Sequence, residues 1–148
     1  MLIVGQQSRN PKMATYEYAL SEPPTDPRTR ELWLQHAAGF IIFQDARQYA
    51  TDEMPDTYSD DQREAALKAI DDAIYGVMMI IDGVSGGLKS DKHILSLETR
   101  VKLQALDGSG SVEEFNLADG DGMCMGYHGW KDDDYGRVRP AIRSDASE

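Results

Sequence analysis

The chain has a single cysteine, Cys124, in 148 residues. It therefore closes no disulfide of its own, and a reducing compartment is the natural expectation. It has no apolar run of the roughly 18 residues that a membrane span requires. It is short of cations, with 15 Lys and Arg against 26 Asp and Glu, a net charge of −11 and a pI near 4.6. Phosphate backbones are neutralised by Lys and Arg, so this deficit argues against nucleic acid as a partner and against an anionic membrane. It favours a basic protein partner, drawn in by long-range attraction. Internal repeats and low-complexity tracts are also missing. The opening Met1–Gly5 is too short for the apolar core of a secretory signal and lacks basic residues before it. Met13 could serve as an alternative start, leaving 1–12 as a dispensable extension. The expectation is a soluble, cytoplasmic protein.

What is present has the length of one domain. Residues 1–25 read as an irregular N-terminal segment, 26–143 as a single α+β domain and 144–148 as a C-terminal tail. Within 1–25, Thr15–Leu20 could add a short strand. Asp26 and Pro27 suit the N-cap and first turn of a long helix. Its apolar positions Trp33, Ala37, Phe40, Ile41, Ala46 and Tyr49 recur at near-helical spacing to about Ala50. Gly39 marks either a weak point or a place where another element packs close. A second helix starts at Ser59, which forms a capping box with Gln62, and stops at Gly83. Its last turns, Ala73-Ile-Tyr-Gly-Val-Met-Met-Ile-Ile81, are apolar on almost every side, so burial nearly all round is expected. After a loop over 84–92, Leu95, Leu97, Thr99, Val101 and Leu103 alternate with polar residues as a half-buried strand. The turn 107–111 returns the chain into a second strand over 112–117. Residues 123–130 read as a third strand or a packed loop, and 137–143 as extended. The resulting expectation is an antiparallel pair of long helices on a small antiparallel β-sheet of two to four strands.

Catalytic and metal signals are weak. Counted as a calcium-binding loop, the Asp-Gly turn at 107–111 puts Val112 and Ala118 where glycine and glutamate are needed, and the loop from Asp119 puts Met123 at a ligand position. Asp119, Asp121, His128 and Asp132–Asp134 have no recognised ligand spacing. His36, His93 and His128 are scattered, and Ser85 lacks the glycine of a nucleophile elbow. Cys124 lies between methionines with no nearby cation, as a small buried hydrophobe would. No catalytic residue, metal or cofactor is assigned.

Two surfaces are candidates for partner binding. One is Tyr127, His128, Trp130 and Tyr135 rimmed by Asp132, Asp133 and Asp134; the aromatics serve either as interface anchors or as a lid on the core. The other is the acidic start of the second helix, Asp60, Asp61 and Glu64. It lies within a 21-residue stretch, 52–72, that holds eight acids against Arg63 and Lys68. By composition alone the chain resembles the loose class of bacterial immunity and antitoxin-like inhibitors, which implies a toxin as the basic partner. The alternative is a small enzyme or ligand-binding protein with a pocket between helices and sheet, using the histidines. A homodimer through Trp33, Phe40 and Phe43 of the first helix is a third possibility.

Overall fold

The computed structural model describes residues 13–84 and 86–144. The expectations for residues 1–12, Ser85 and residues 145–148 lie outside those residues. The chain is α+β, with more of its residues in helices than in strands and its strands paired antiparallel. A 3-10 turn, Ala14–Glu17, leads into β1 (Tyr18–Leu20). The first helix, α1 (Pro27–Phe40), is capped by the Asp26 carboxylate, which accepts the Thr29 N–H at 2.9 Å. It passes into one π-helical turn, Ile41–Asp45, and continues as α2 (Ala46–Asp52). A π turn inserts an extra residue and so rotates everything beyond it. Phe43 and Arg47 take the inward face, while Ile41, Ala46 and Tyr49, expected on the core stripe, are turned into water.

Helix α3 (Asp60–Ile81) carries both halves of the Ser59–Gln62 capping box. Asp82 and Gly83 end it, the latter at φ 80°. A short helix, α4 (Met123–Trp130), occupies the stretch expected as strand or loop. It packs against both α1 and α3. The two long helical runs are thus bridged by a third helix, and the simple helix pair is not the whole arrangement. The start of α4 has no capping side chain of its own. Its first N–H groups, on Met123 and Cys124, donate to the Asp82 carboxylate at 2.7 and 2.9 Å. One acid at the end of α3 thereby satisfies donors that a helix start would otherwise leave unpaired.

The core lies between these helices. Phe40, Phe43, Ile74, Met78, Leu117, Met123, Tyr127, Trp130 and Tyr135 are all buried. The Trp130 indole lies in a slot whose floor is Gly39 and Gly126; a Cβ at either would collide with the ring. Trp130 stacks on Tyr135 with ring centroids 6.1 Å apart, and Tyr135 meets Phe40 edge-on. The expected close approach at Gly39 is therefore this indole. Arg47 grips Asp71 of α3 at 2.9 Å, and the backbone carbonyl of Asp71 accepts the Tyr127 hydroxyl at 2.7 Å.

Among the described residues the strands form three separate pairs, not one sheet. β1 pairs with β6 (Ala141–Arg143), joining residues near the two ends of the chain. β4 (Arg100–Gln104) pairs with β5 (Ser111–Asn116), as the turn at 107–111 predicts. The strand read from Leu95 is shorter than expected. Its ladder begins at Arg100, opposite Asn116, and Asn116 then caps a 3-10 turn at Leu117–Asp119. Residues 96–99 are thus left without a partner strand, and Leu95 and Leu97 are exposed instead of buried. A small hairpin forms between the expected loop and the residues just after it, β2 (Leu88–Lys89) with β3 (Ile94–Leu95). The last turns of α3 are also more exposed than their composition implies. Ile74, Met78 and Ile81 are inside, but Val77 is 44% and Ile80 42% exposed. Neighbouring helices cover one face of that apolar segment, and its other face meets solvent.

Candidate functional site

The anchors expected around 127–135 are inside the molecule. Tyr127, Trp130 and Tyr135 are 4%, 2% and 1% exposed, so they cannot meet a partner in this conformation. Burial pushes the Tyr135 hydroxyl up to about 12, and it accepts a hydrogen bond from the Gln44 amide at 2.8 Å. The Trp130 N–H donates to His36 Nδ1 at 3.0 Å, which ties the indole to α1. His128 stays exposed, its ring 5.7 Å from those of Tyr75 and Tyr127. Asp132 is exposed, Asp133 is held by Arg139 at 3.0 Å, and Asp134 accepts the Gly136 N–H. This segment is a closed, internally bonded turn. The homodimer seam on the first helix is likewise withdrawn: Trp33, Phe40 and Phe43 are core residues.

The histidines do not form a site. His36 is bonded to Trp130, His93 sits on the exposed β2–β3 hairpin and His128 on the outside of α4. Among the described residues, no group of three or more His, Cys, Asp or Glu could hold a metal ion. Cys124 is half-buried, and desolvation together with the Asp82 carboxylate pushes its thiol up, away from the reactive thiolate form.

The acidic corner where α2 turns into α3 is where an expected surface remains open. Of the eight acids over 52–72, Asp71 is taken by Arg47 and Asp72 by Lys68 at 2.6 Å. Asp52, Glu53, Asp56, Asp60, Asp61 and Glu64 remain exposed and, within the described residues, form no ion pair. The local geometry explains why. Arg63, the cation in their midst, reaches back to the Pro55 carbonyl at 3.2 Å and the Met54 sulfur at 3.9 Å. Its charge fastens the loop and leaves the carboxylates uncompensated. Asp60 and Asp61 lie in the first turn of α3, where the helix dipole favours their charge. Two tyrosines flank the acids: Tyr49 is 47% and Tyr58 38% exposed. The sequence reading missed Tyr49 as a surface group because the π turn rotates it off the core face. Tyr58 could have been found from its place in the polar loop beside Pro55.

Comparison of the chain with protein-family models, curated proteins and solved structures finds no match.

A concavity lies between α1 and the β1–β6 pair. It is lined by Tyr18, Leu20, Phe40, Ile41 and Pro140 among others and holds about 230 Å³. That is below the roughly 300–1,000 Å³ of an ordinary small-molecule pocket. Its lining is mostly apolar, and none of the three histidines borders it.

Proposed function

We propose that this chain is a protein-binding module that receives a basic partner at the α2–α3 corner, in the manner of an inhibitor that covers a cationic active site. The observation that carries this reading is the set of six exposed acids that form no ion pair among the described residues while Arg63, which lies among them in sequence, is bonded to backbone. Such a cluster steers a cationic surface over a distance set by the Debye length, about 8 Å at physiological salt. Tyr49 and Tyr58 supply the large, rigid contact area that interface cores favour. The test is to isolate a basic protein that co-purifies from the source cells and follow its association rate against salt. Reversing Asp60, Asp61 and Glu64 to Lys should slow association about tenfold or more at low salt. A rate indifferent to both salt and reversal would remove the proposal. The alternative is a small apolar ligand in the α1/β1–β6 cleft, favoured by that cleft's apolar lining. Binding there would be indifferent to the charge reversals, so the same variants separate the two.

A further inference from the structure

Leu20 and Ile41 are 56% and 51% exposed, and both line the cleft between α1 and the β1–β6 pair. Tyr18, Phe40 and Pro140 extend its apolar walls. The Thr15 hydroxyl, a polar group in the lining, is already bonded to the Asp45 carboxylate at 2.9 Å. The cleft thus offers contact area and few directional bonds, which suits aliphatic side chains. We propose that its occupant is the chain's own Met1-Leu2-Ile3-Val4, turned back onto Leu20 and Ile41.

Composition, attachment and charge all favour this segment. Met1–Val4 is a run of large apolar residues, and Gly5–Lys12 follows with none. The described chain begins at Met13, two residues before Thr15 in the cleft lining. Two backbone steps put the point of attachment within about 8 Å of the cleft wall. The eight residues Gly5–Lys12 span at most about 29 Å when extended, against a helix diameter of about 10 Å. That tether is long enough to bring Leu2, Ile3 and Val4 back to the cleft. A segment on a short tether meets its site at an effective concentration of about millimolar, whereas a diffusing ligand depends on its own supply. The advantage matters in a cleft of about 230 Å³, which falls short of an ordinary small-molecule pocket and has room for aliphatic side chains. The tether carries Arg9 and Lys12 and no acid, so a chain of net charge −11 attracts it. A cleft filled in this way leaves no room for a free apolar ligand, so the two occupants exclude each other. A chain started at Met13 would lack the plug and leave the cleft open.

The experiment is NMR of the full chain with its Leu, Ile and Val methyls labelled. Cross-peaks from the methyls of Leu2, Ile3 or Val4 to those of Leu20 or Ile41 are expected, because packed apolar groups approach within about 4.5 Å. They should persist on dilution and be absent between labelled and unlabelled copies, as a contact within one chain requires. Leu2→Asp with Ile3→Asp should abolish the contacts that Val4 still makes. It should shift the Leu20 and Ile41 methyls and leave those of Leu95 and Leu97 unmoved. Both substitutions lie outside the described core, so far-UV circular dichroism should be kept; the wild-type cross-peaks decide the matter if it is not. A wild-type chain with no such cross-peak would overturn the proposal. Contacts from Leu2–Val4 to Leu95 or Leu97 in place of Leu20 and Ile41 would do the same, as would contacts made only between copies. Association with a basic protein at the α2–α3 corner would weaken with salt and ignore Leu2 and Ile3, so the two proposals fail separately.

Discussion

Two apolar regions diverge from the end of α3. Asp82 turns one way, into α4, and the chain that follows it goes the other way, into the β2–β3 hairpin. The α4 side is aromatic, glycine-lined and dry. The hairpin side is aliphatic and wet. Both are rich in large apolar side chains in the sequence, and only one is core. The difference lies in the backbone opposite each. Gly39 and Gly126 let an indole lie flat between two helices, whereas nothing in the described residues supplies a second layer for Leu88, Leu95 and Leu97.

The largest expected effect tests that contrast directly. Trp130→Ala empties a fully enclosed slot and removes the bond to His36, so it should cost about 3–5 kcal/mol. Leu97→Ala, at 74% exposure, should stay within about 0.5 kcal/mol. Thermal unfolding of the two variants measures the gap, and equal losses would break the comparison. Next comes the branch point. Asp82→Ala strips α4 of its cap and should cost about 1–2 kcal/mol, read from denaturant midpoints. Among the described residues no N–H of the hairpin donates to that carboxylate, so hydrogen exchange should quicken in α4 and not in β2–β3.

The smallest effect is one of pH. Burial pushes His36 below its ordinary value near 6.5, against the opposing pull of Asp134 and Asp121. Below about pH 6.5 the unfolded chain takes up a proton that the folded chain resists, so stability falls as pH falls through that window and is full above it. His36→Asn keeps an acceptor for the Trp130 N–H and does not titrate. The slope of melting temperature against pH between about 7 and 5 should be shallower in that variant. An unchanged slope would mean that other groups set it.

The sequence carried the helix punctuation well. Asp26–Pro27, Ser59–Gln62 and Gly83 are local signals, and each acts where it stands. The 107–111 turn and the approach of another element to Gly39 were legible for the same reason. What escaped depends on residues far apart in the chain. The start of α4 is capped by an acid 41 residues upstream, so no motif within 123–130 announces it. The burial of Tyr127, Trp130 and Tyr135 depends on glycines in two different helices. The exposure of Leu95 and Leu97 follows from where β5 stops, which the alternation at 95–103 does not encode. The acids of the corner were visible as composition. Their lack of compensation was not, because it turns on the direction Arg63 takes.

The π turn at Ile41–Asp45 also fixes how the chain tolerates changes of length. Gln44 reaches Tyr135 and Asp45 accepts from Thr15 across this one widened coil. Deleting a single residue there would regularise the helix and swing its downstream half by roughly 100°. Arg47 would leave Asp71, and Tyr49 would trade places with its neighbours around the axis. A shortened helix would be smoother by itself and out of phase with everything it holds.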